Sequence, residues 1–404
     1  MRTRLKLVIC VILGYFLIQF LSRSYYTEEY PVILWWTNEI IQDETITCDI
    51  YKCLISGNRD YFNKPNLAVI AFYGSSIDLI DLPLPRENKT WALYHEESSR
   101  NTPWLIFPES QNLFNVTSTF SRYSNYPLTL SGLNDDSITG LKYYLPLPLK
   151  KRKKLSPIVY IQSICDNPIQ RDSYVKKLMD YMPIDSFGKC LNNKELPEEL
   201  QLNNEGVYDL YQEDLMNFIA QYKFSIAIEN CICNDYITEK LWRPLIAGSV
   251  PIYFGSPTIK DWLPNNKSAI ILDDFKTIKE LADYINQVNK NDTMYLEYLQ
   301  HKLADHNLKM TNEFLQREIN NRKDTSIEGY NCYLCKSFHE KTIYNPPKQS
   351  PYKCSKHKAW ESFWKRGKCE AKILDMFVNR LQLKNFTKQE FEGNITQAMN
   401  LNQC

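Results

Sequence analysis

The sequence predicts an α/β protein with two domains that face each other across a cleft. Apolar runs rich in β-branched and aromatic residues recur between turn signals, at residues 32–36, 67–73, 91–94, 157–161, 223–228 and 250–254. Helical patterns lie between and after the later runs, at 173–181 and at 279–288, where one face carries Leu281, Tyr284, Ile285 and Val288. Buried strands alternating with helices indicate parallel sheets. A chain of 404 residues also exceeds the size at which one core usually keeps growing.

Breaks in these patterns divide the chain into segments. Prolines 146 and 148 and the charge run Lys150–Lys154 are interpreted as a solvated linker. We therefore assign residues 22–150 to an N-terminal α/β domain and residues 151–330 to a C-terminal α/β domain. Residues 331–404 are rich in Cys, Lys and aromatic residues and are interpreted as a disulfide-stapled C-terminal segment. Two successive α/β domains place the active site in the cleft between them.

The N-terminus has the pattern of a membrane anchor. Arg2, Arg4 and Lys6 precede an apolar run over residues 7–21, and positive charge before such a run keeps the N-terminus in the cytoplasm. We predict a cytoplasmic tail, 1–6, and a signal-anchor transmembrane segment, 7–21. The run is short for a spanning helix, so a cleaved signal peptide is the alternative. Both interpretations place the rest of the chain in the lumen of the endoplasmic reticulum or Golgi, and the anchor makes it a single-pass type II membrane protein.

Composition and modification signals agree with a luminal protein. The chain has 48 basic and 47 acidic residues, a formal charge of +1 that provides no field for binding nucleic acid. N-glycosylation sequons begin at Asn88, Asn115, Asn266, Asn291, Asn385 and Asn394. All but one of the 12 cysteines follow the anchor. Cys332 and Cys335 have a spacing that suits either a disulfide framework or a zinc site. No second pair with ligand spacing exists, which favours disulfides.

The most informative segment is a strand, a polar loop and the start of a helix, over residues 222–248. The apolar run ends at Glu229-Asn230, and Thr238 is a suitable N-cap for a helix that stops at Gly248. Such a helix N-terminus presents free backbone N–H groups and the positive end of a dipole, which bind a diphosphate. Lys240 adds a full charge in the first turn. An ordinary solvated first turn is the alternative interpretation of these residues.

This segment resembles the donor-binding signature of the α-1,3-fucosyltransferase family. The resemblance covers Glu229-Asn230, residues 235–241 and residues 247–252, and extends through most of the luminal chain. It implies a GT-B-like fold, GDP-fucose as donor, and inverting transfer without a metal or other cofactor. It also implies that the domain of residues 22–150 meets the acceptor and that the domain of residues 151–330 binds GDP-fucose. By position, it implies that the donor-binding residues are Arg122, Arg171, Asn230, Tyr236, Glu239 and Lys240. It also implies that Cys332 and Cys335 belong to the family's C-terminal disulfide motif.

An inverting transfer needs a carboxylate that takes the acceptor proton. The candidates follow the strand at Trp91, where alternation places His95 and Glu97 on one side and Glu96 on the other. Glu97-Ser98 resembles the family's catalytic Glu-Ser pair, which implies that Glu97 is the general base. A surface loop glutamate is the alternative. His95 either positions an acceptor or is a packed neighbour.

The departing GDP builds up negative charge that must be stabilised. Many glycosyltransferases hold a divalent metal with an Asp-x-Asp motif, and this sequence contains none. Arg171, Lys240 and the helix N-terminus are expected to act instead, and the pair Asp273-Asp274 is interpreted as a turn.

Three departures from the family pattern concern the acceptor. Ser121 stands where an arginine is expected, Tyr123 where an aspartate is expected, and Pro244 lies inside the donor helix. With residues 95–98 they resemble the branch of fucosyltransferases ten and eleven. That resemblance implies transfer either to Ser or Thr of folded protein modules or to N-acetylglucosamine of N-glycans. A hydrolase with Glu96 and Glu97 as its carboxylate pair is disfavoured, because adjacent strand residues point apart. A non-catalytic module that binds GDP-fucose or glycans remains the alternative.

Overall fold

The computed structural model describes residues 30–37, 42–129, 133, 135–200, 211–321, 324–342 and 350–404. The predicted cytoplasmic tail and signal anchor lie outside these residues. Within the described residues, no helix combines the length and apolar character needed to cross a membrane.

Within the described ranges, eleven strands form two sheets. They are β1 Val32–Trp35, β2 Glu44–Cys48, β3 Tyr51–Ser56, β4 Leu67–Tyr73, β5 Trp91–His95, β6 Val116–Thr119, β7 Ile158–Ile161, β8 Ile184–Phe187, β9 Phe224–Ile228, β10 Val250–Phe254 and β11 Ile270–Ile271. The first sheet has the order β2-β3-β1-β4-β5-β6 and the second β11-β10-β9-β7-β8. All pairs are parallel except β2 with β3. The predicted α/β fold with two sheets is therefore confirmed.

Helices surround the two sheets. In chain order they are α1 Pro108–Gln111, α2 Asp135–Thr139, α3 Leu147–Arg152, α4 Arg171–Met179, α5 Glu213–Ile219, α6 Glu239–Ala247, α7 Ile278–Lys290, α8 Asp292–Glu297, α9 Gln300–Leu303, α10 His306–Lys309, α11 Glu313–Asn320, α12 Ile327–His339, α13 Glu361–Asp375 and α14 Lys388–Asn400. The predicted helical face of α7 is confirmed, since Leu281, Ile285 and Val288 are buried.

The C-terminal segment completes the N-terminal domain. Along β4, Ile70 and Phe72 pack with Leu374 of α13, whereas Val69 and Ala71 pack with Leu334 of α12. Alternate residues of a strand face opposite sides of the sheet, so α12 and α13 cover the two faces. A parallel sheet needs cover on both faces. The sequence analysis treated the C-terminal segment as separate from the two domains. In the structure, α12 and α13 are instead part of the core of the first domain.

Two disulfides fix α12 to the edge of the first sheet. Cys48 bonds to Cys332 and Cys53 bonds to Cys335. Disulfide bonding of Cys332 and Cys335 agrees with the prediction, and the zinc alternative is wrong because no thiolate is left at this spacing. Three further disulfides join Cys165 to Cys190, Cys233 to Cys354 and Cys369 to Cys404.

The basic run after Pro148 is not wholly a solvated linker. Lys150 lies in α3 and is 4% exposed. Its Nζ donates to the carbonyl oxygens of Tyr222 and Gly248, at 2.9 Å and 2.7 Å. Burial lowers the pKa of Lys150 to about 7. One lysine of the run therefore anchors the C-terminal end of α6, because these hydrogen bonds compensate its burial.

Candidate active site

The strand, loop and helix predicted for residues 222–248 are confirmed. Strand β9 ends at Ile228, and α6 begins after Thr238, whose side chain accepts a hydrogen bond from the backbone N–H of Lys240. The helix ends at Gly248, which has φ +70°, a left-handed conformation that glycine adopts at no steric cost. Pro244 lies inside α6, where it removes one backbone donor from the helix.

Glu229 connects the end of β9 to the start of α6. Its carboxylate is fully buried and accepts hydrogen bonds from the backbone N–H and the hydroxyl of Thr238, both at 2.8 Å. Burial raises the pKa of Glu229 to about 7, although Lys240, whose Nζ is 3.8 Å away, opposes the increase. The arrangement orients the first turn of α6. The sequence analysis placed Glu229 in the donor motif but did not predict that it holds this turn.

Glu239 and Lys240 form a close ion pair in this first turn. Nζ of Lys240 is 2.9 Å from Oε1 of Glu239, and the two side chains are 20% and 19% exposed. Burial raises the pKa of Glu239, but Lys240 and Arg243 outweigh it and hold the pKa below its ordinary value. Both residues are therefore charged at the helix N-terminus, where the helix dipole also favours an anion.

Glu97 faces this turn from the other domain. It is the second residue after the end of β5 and is half-buried. Burial raises the pKa of Glu97, Glu96 raises it further, and Lys240 counteracts both. The hydroxyl of Tyr236 hydrogen-bonds with Ser98 and also interacts electrostatically with Glu97. The cleft thus brings Glu97 together with Tyr236, Glu239 and Lys240.

His95 is the packed neighbour of the two alternatives. It is 1% exposed, and its ring nitrogens lie 2.6 Å from the Tyr352 hydroxyl and 2.9 Å from the Thr102 hydroxyl. Burial lowers the pKa of His95 to about 3. The expectation of an acceptor-side role is corrected, because both nitrogens are occupied by protein groups. Glu96 is exposed and accepts a hydrogen bond from Tyr73.

Arg171 and Asn230 lie at the carboxyl end of β9 with unmet hydrogen-bonding capacity. Arg171 begins α4, is 1% exposed, and donates to the carbonyl oxygens of Ile164 and Ile228. Its Nε and the Oδ1 of Asn230 are both buried without a partner in the described part of the chain. Buried polar atoms are normally satisfied. A ligand that accepts a hydrogen bond from Arg171 Nε and donates one to Asn230 Oδ1 would satisfy both atoms.

Arg122 serves a different purpose from the one implied by the resemblance. Its Nε and Nη2 donate to the carboxylate of Asp235, and its Nη1 donates to Asp261 at 2.9 Å. The guanidinium also lies over the rings of Trp262 and Phe314. We therefore correct Arg122 from a donor-binding residue to one that holds the loop between β9 and α6, residues 229–238, which we call the donor loop. Asp235 was part of the quoted motif, but no sequence pattern indicated its partner.

A disulfide joins the donor loop to the N-terminal domain. Cys233, in the loop between β9 and α6, bonds to Cys354. Cys231, Cys233 and Tyr236 pack in the same core cluster as Trp91 and other residues of the first sheet. The donor loop is thus built into both domains. Sequence reasoning missed this, because nothing in the spacing links positions 233 and 354.

Two groups of residues could place metal-binding atoms together within the described residues. They are Cys53 with Cys335 and His339, and Cys165 with Asp172 and Cys190. In each group both cysteines are disulfide-bonded, so neither group offers a thiolate ligand. Asp273 and Asp274 lie in a single 3₁₀ turn, as predicted.

Comparison with known proteins decides the family. The domain described as "Fucosyltransferase, N-terminal" matches residues 28–130, and the one described as "Glycosyltransferase family 10 (fucosyltransferase) C-term" matches residues 149–350. The chain belongs to glycosyltransferase family 10. It is a fucosyltransferase, and the resemblance stated from the donor motif is confirmed.

Relatives that match this fucosyltransferase along most of their length include proteins with two different names. "Alpha-(1,3)-fucosyltransferase B" of Drosophila melanogaster is 40% identical and covers 92% of this chain and 89% of its own. "GDP-fucose protein O-fucosyltransferase 3" of Homo sapiens is 38% identical, with 92% and 84% covered. A crystal structure of an alpha1,3-fucosyltransferase with GDP-fucose has 19% identity and a TM-score of 0.45, and covers 73% of this chain and 82% of its own.

The six sequons of this fucosyltransferase differ in exposure. Asn88, Asn266 and Asn385 are exposed, and Asn291 is exposed while it caps α8. Nδ2 of Asn394 donates to a carbonyl within α14. Asn115 is partly buried, and its Oδ1 accepts hydrogen bonds from the backbone of Trp91 and from Arg86, both at 3.0 Å.

Proposed function

We propose that this fucosyltransferase transfers L-fucose from GDP-fucose to a serine or threonine hydroxyl of a folded protein module, with inversion and without a metal. The observation that supports this most is the position of Glu97, a carboxyl of raised pKa opposite Lys240 and the N-terminus of α6. A base and an anion-binding site facing each other are what the transfer requires.

The diphosphate of the donor is assigned to the first turn of α6. The helix dipole and Lys240 favour the anion there. Contrary to the expectation from the sequence, the backbone N–H groups of Thr238, Lys240 and Leu241 are already bonded within the protein, and the contacts of Thr238 with Glu229 hold the turn in place. Arg171 and Asn230, with their unpartnered buried atoms, are assigned to the GDP portion at the end of β9. Tyr236 and Glu239 are assigned to the fucose and ribose contacts.

In the reaction, Glu97 takes the proton of the acceptor hydroxyl while its oxygen attacks the anomeric carbon of fucose. The bond from that carbon to the β-phosphate oxygen breaks, and GDP leaves with both electrons from the opposite face. The configuration is therefore inverted. Because burial and Glu96 raise the pKa of Glu97, its carboxylate is a stronger base than an exposed glutamate. Lys240 and the helix dipole stabilise the charge on the departing phosphate.

Two further features support a luminal protein acceptor. Curated relatives at 38% identity are named for protein O-fucosylation. The five disulfides of the described residues are typical of an oxidising compartment such as the endoplasmic reticulum or Golgi lumen.

We assign residues 7–21 as the anchor that keeps the chain on that membrane. The name of the Drosophila relative supports α-1,3 transfer to N-glycan N-acetylglucosamine as the second candidate.

The test is fucose transfer from radiolabelled GDP-fucose by the purified full chain in the presence of EDTA. A folded cysteine-rich protein module and a GlcNAc-terminated N-glycan are offered together. We expect label on serine or threonine of the module, undiminished by the chelator. Label only on the glycan would replace the protein acceptor by the second candidate. GDP-fucose binding without transfer to either would support a non-catalytic module, and loss of transfer with EDTA would refute metal independence.

A further inference from the structure

A surface cavity of about 540 Å³ on the N-terminal domain shares no lining residue with the candidate active site. We call it the lysine pocket. It is formed by Phe107 just before α1, by residues 356–358, by one face of α13 and by the chain that follows α14. These elements come from three distant parts of the sequence, so only the tertiary structure assembles them.

The pocket concentrates positive charge. Its lining contains one carboxylate, Glu361, and four lysines, namely Lys356, Lys358, Lys365 and Lys368. None of the four forms an ion pair within the described residues. Lys365 and Lys368 are also three apart on α13, a spacing at which like charges repel. Nζ of Lys365 donates to the carbonyl oxygen of Met399, and the other three lysines are available to an anionic partner.

The floor of the pocket is apolar. The rings of Phe107 and Trp364 are 3% and 4% exposed, and Nζ of Lys356 lies 4.4 Å from the centroid of the Phe107 ring. Burial lowers the pKa of Lys356, and the nearby Lys368 lowers it further. The two rings are themselves almost fully buried, but the exposed lining of the pocket as a whole is more apolar than polar, and a ligand that only neutralised the lysines would leave that apolar surface uncovered. The chemistry therefore suits a ligand with both negative charge and an apolar or aromatic group.

The pocket is rigidly connected to the strand that precedes the base. Gly367 of α13 packs against Pro103 so closely that a Cβ would lie 2.8 Å from the proline side chain. Tyr352, which precedes the pocket residues by a few positions, hydrogen-bonds to His95 at the end of β5. The disulfide at Cys354 reaches the donor loop. The segment that forms part of the pocket is thus bonded directly to the end of β5, two residues before Glu97, and to the loop that precedes α6.

We propose that the lysine pocket docks an acidic segment of the protein acceptor, one that carries an aromatic or aliphatic side chain for the apolar floor. The proposal rests on the protein-acceptor function inferred above and adds how that acceptor is recognised. A protein segment fits better than a sulfated polysaccharide, because the exposed lining is more apolar than polar, whereas the outward groups of a sulfated polysaccharide are mainly sulfates and hydroxyls.

A binding experiment tests the pocket independently of any transfer. The probe is fluorescein-labelled poly(Glu,Tyr), a copolymer that carries carboxylates and aromatic rings, and the readout is fluorescence anisotropy with the full chain. We expect the double variant K358E/K368E to weaken binding by about tenfold or more. The matched control K384E/K388E reverses two exposed lysines of the same domain. It should bind like the parent, since Lys388 and Asn402 lie at opposite ends of α14, roughly 20 Å apart.

Steady-state transfer then tests whether the pocket serves the acceptor. For K358E/K368E we expect the acceptor KM to rise by about tenfold, while kcat, the KM for GDP-fucose and acceptor-free hydrolysis of GDP-fucose stay unchanged. Equal effects of both double variants, or an unchanged acceptor KM, would overturn the proposal. The proposal would also be overturned if the protein bound fluorescein-labelled dextran sulfate but did not bind poly(Glu,Tyr). If neither parent nor variant transfers fucose but the copolymer still binds as expected, the function proposed above fails, while the lysine pocket stands as an anion-binding site.

Discussion

Arg122 of the N-terminal domain and Asp235 of the donor loop form a two-pronged ion pair, with Nη2 of Arg122 2.6 Å from Oδ1 of Asp235 and Nε 2.9 Å from Oδ2. The Asp235 side chain is 1% exposed and also accepts hydrogen bonds from Thr258 and Trp262. Its backbone has φ +62°. Six hydrogen-bonding groups thus fix the residue that precedes Tyr236. They are the backbone N, Nε and Nη2 of Arg122, the side chains of Thr258 and Trp262, and the Ser256 hydroxyl, which accepts from the Asp235 N–H.

Asp235→Asn is expected to destabilise the protein and to weaken donor binding. The neutral amide leaves the mostly buried charge of Arg122 with only the exposed Asp261, and breaking a buried ion pair costs roughly 3 kcal/mol. We expect a lower free energy of unfolding by about that amount and a higher KM for GDP-fucose. The control is Asp261→Asn, whose side chain is 48% exposed and whose loss should cost less than about 1 kcal/mol. Equal losses in both variants would contradict the clamp.

Glu97→Gln is expected to abolish most transfer while leaving the donor site intact. Removal of a general base typically lowers the rate by about 100-fold or more, and the amide keeps the size of the side chain. The measurement is kcat together with the Kd for GDP-fucose. Glu96→Gln is a matched control, because Glu96 is adjacent, exposed and bonded to Tyr73. If Glu96→Gln lost as much transfer as Glu97→Gln, the base would be misassigned.

The pH profile of kcat/KM reports the environment of Glu97. A base acts when deprotonated, so activity is lost as pH falls through its pKa. Burial and Glu96 raise that pKa, which places the acid limb above the value of about 4.3 for an ordinary glutamate. Glu96→Gln removes one raising charge and should move the limb to lower pH. A limb that stays in place, or moves upward, would show that another group controls it.

Thr238→Val is expected to loosen the start of α6. It removes the hydroxyl that accepts from the backbone of Lys240 and donates to Glu229, and loss of such an N-cap costs about 1 kcal/mol. We expect a lower melting temperature and weaker binding of GDP, measured by calorimetry. Thr238→Ser retains the hydroxyl and should behave like the parent. Identical losses in the two variants would implicate the methyl group rather than the cap.

N-glycans are expected at the exposed sequons and not at Asn115. Asn88, Asn266 and Asn385 project from the surface, whereas Asn115 hydrogen-bonds to Trp91 and Arg86 at the start of β6. A glycan is attached to Nδ2 before folding is complete, and at Asn115 it would have to emerge from a partly buried side chain that is held by these contacts, so we expect chains modified there to be depleted from the folded pool. Glycopeptide mapping of the folded, secretory-pathway protein checks this. Full occupancy at Asn115 would refute it.

Much of the candidate site could be predicted from the sequence because its signals are local. Three of these signals depend on neighbours within a few positions: the apolar run of β9, the N-cap at Thr238 and the glycine at 248. The short strands β2, β3, β6, β8 and β11 were missed. Several of them contain polar residues or span only a few positions, and such segments give no clear period.

The sequence by itself therefore determined the fold class, the donor motif and the family. Only the tertiary structure decided the partners of Arg122, the burial of His95 and Lys150, and the pairing of Cys332 with Cys48, which are 284 positions apart. The physical reason is the covering of the first sheet. Its two faces need apolar partners, and these come from α12 and α13 at the other end of the chain. No local pattern states which distant helix will cover which face.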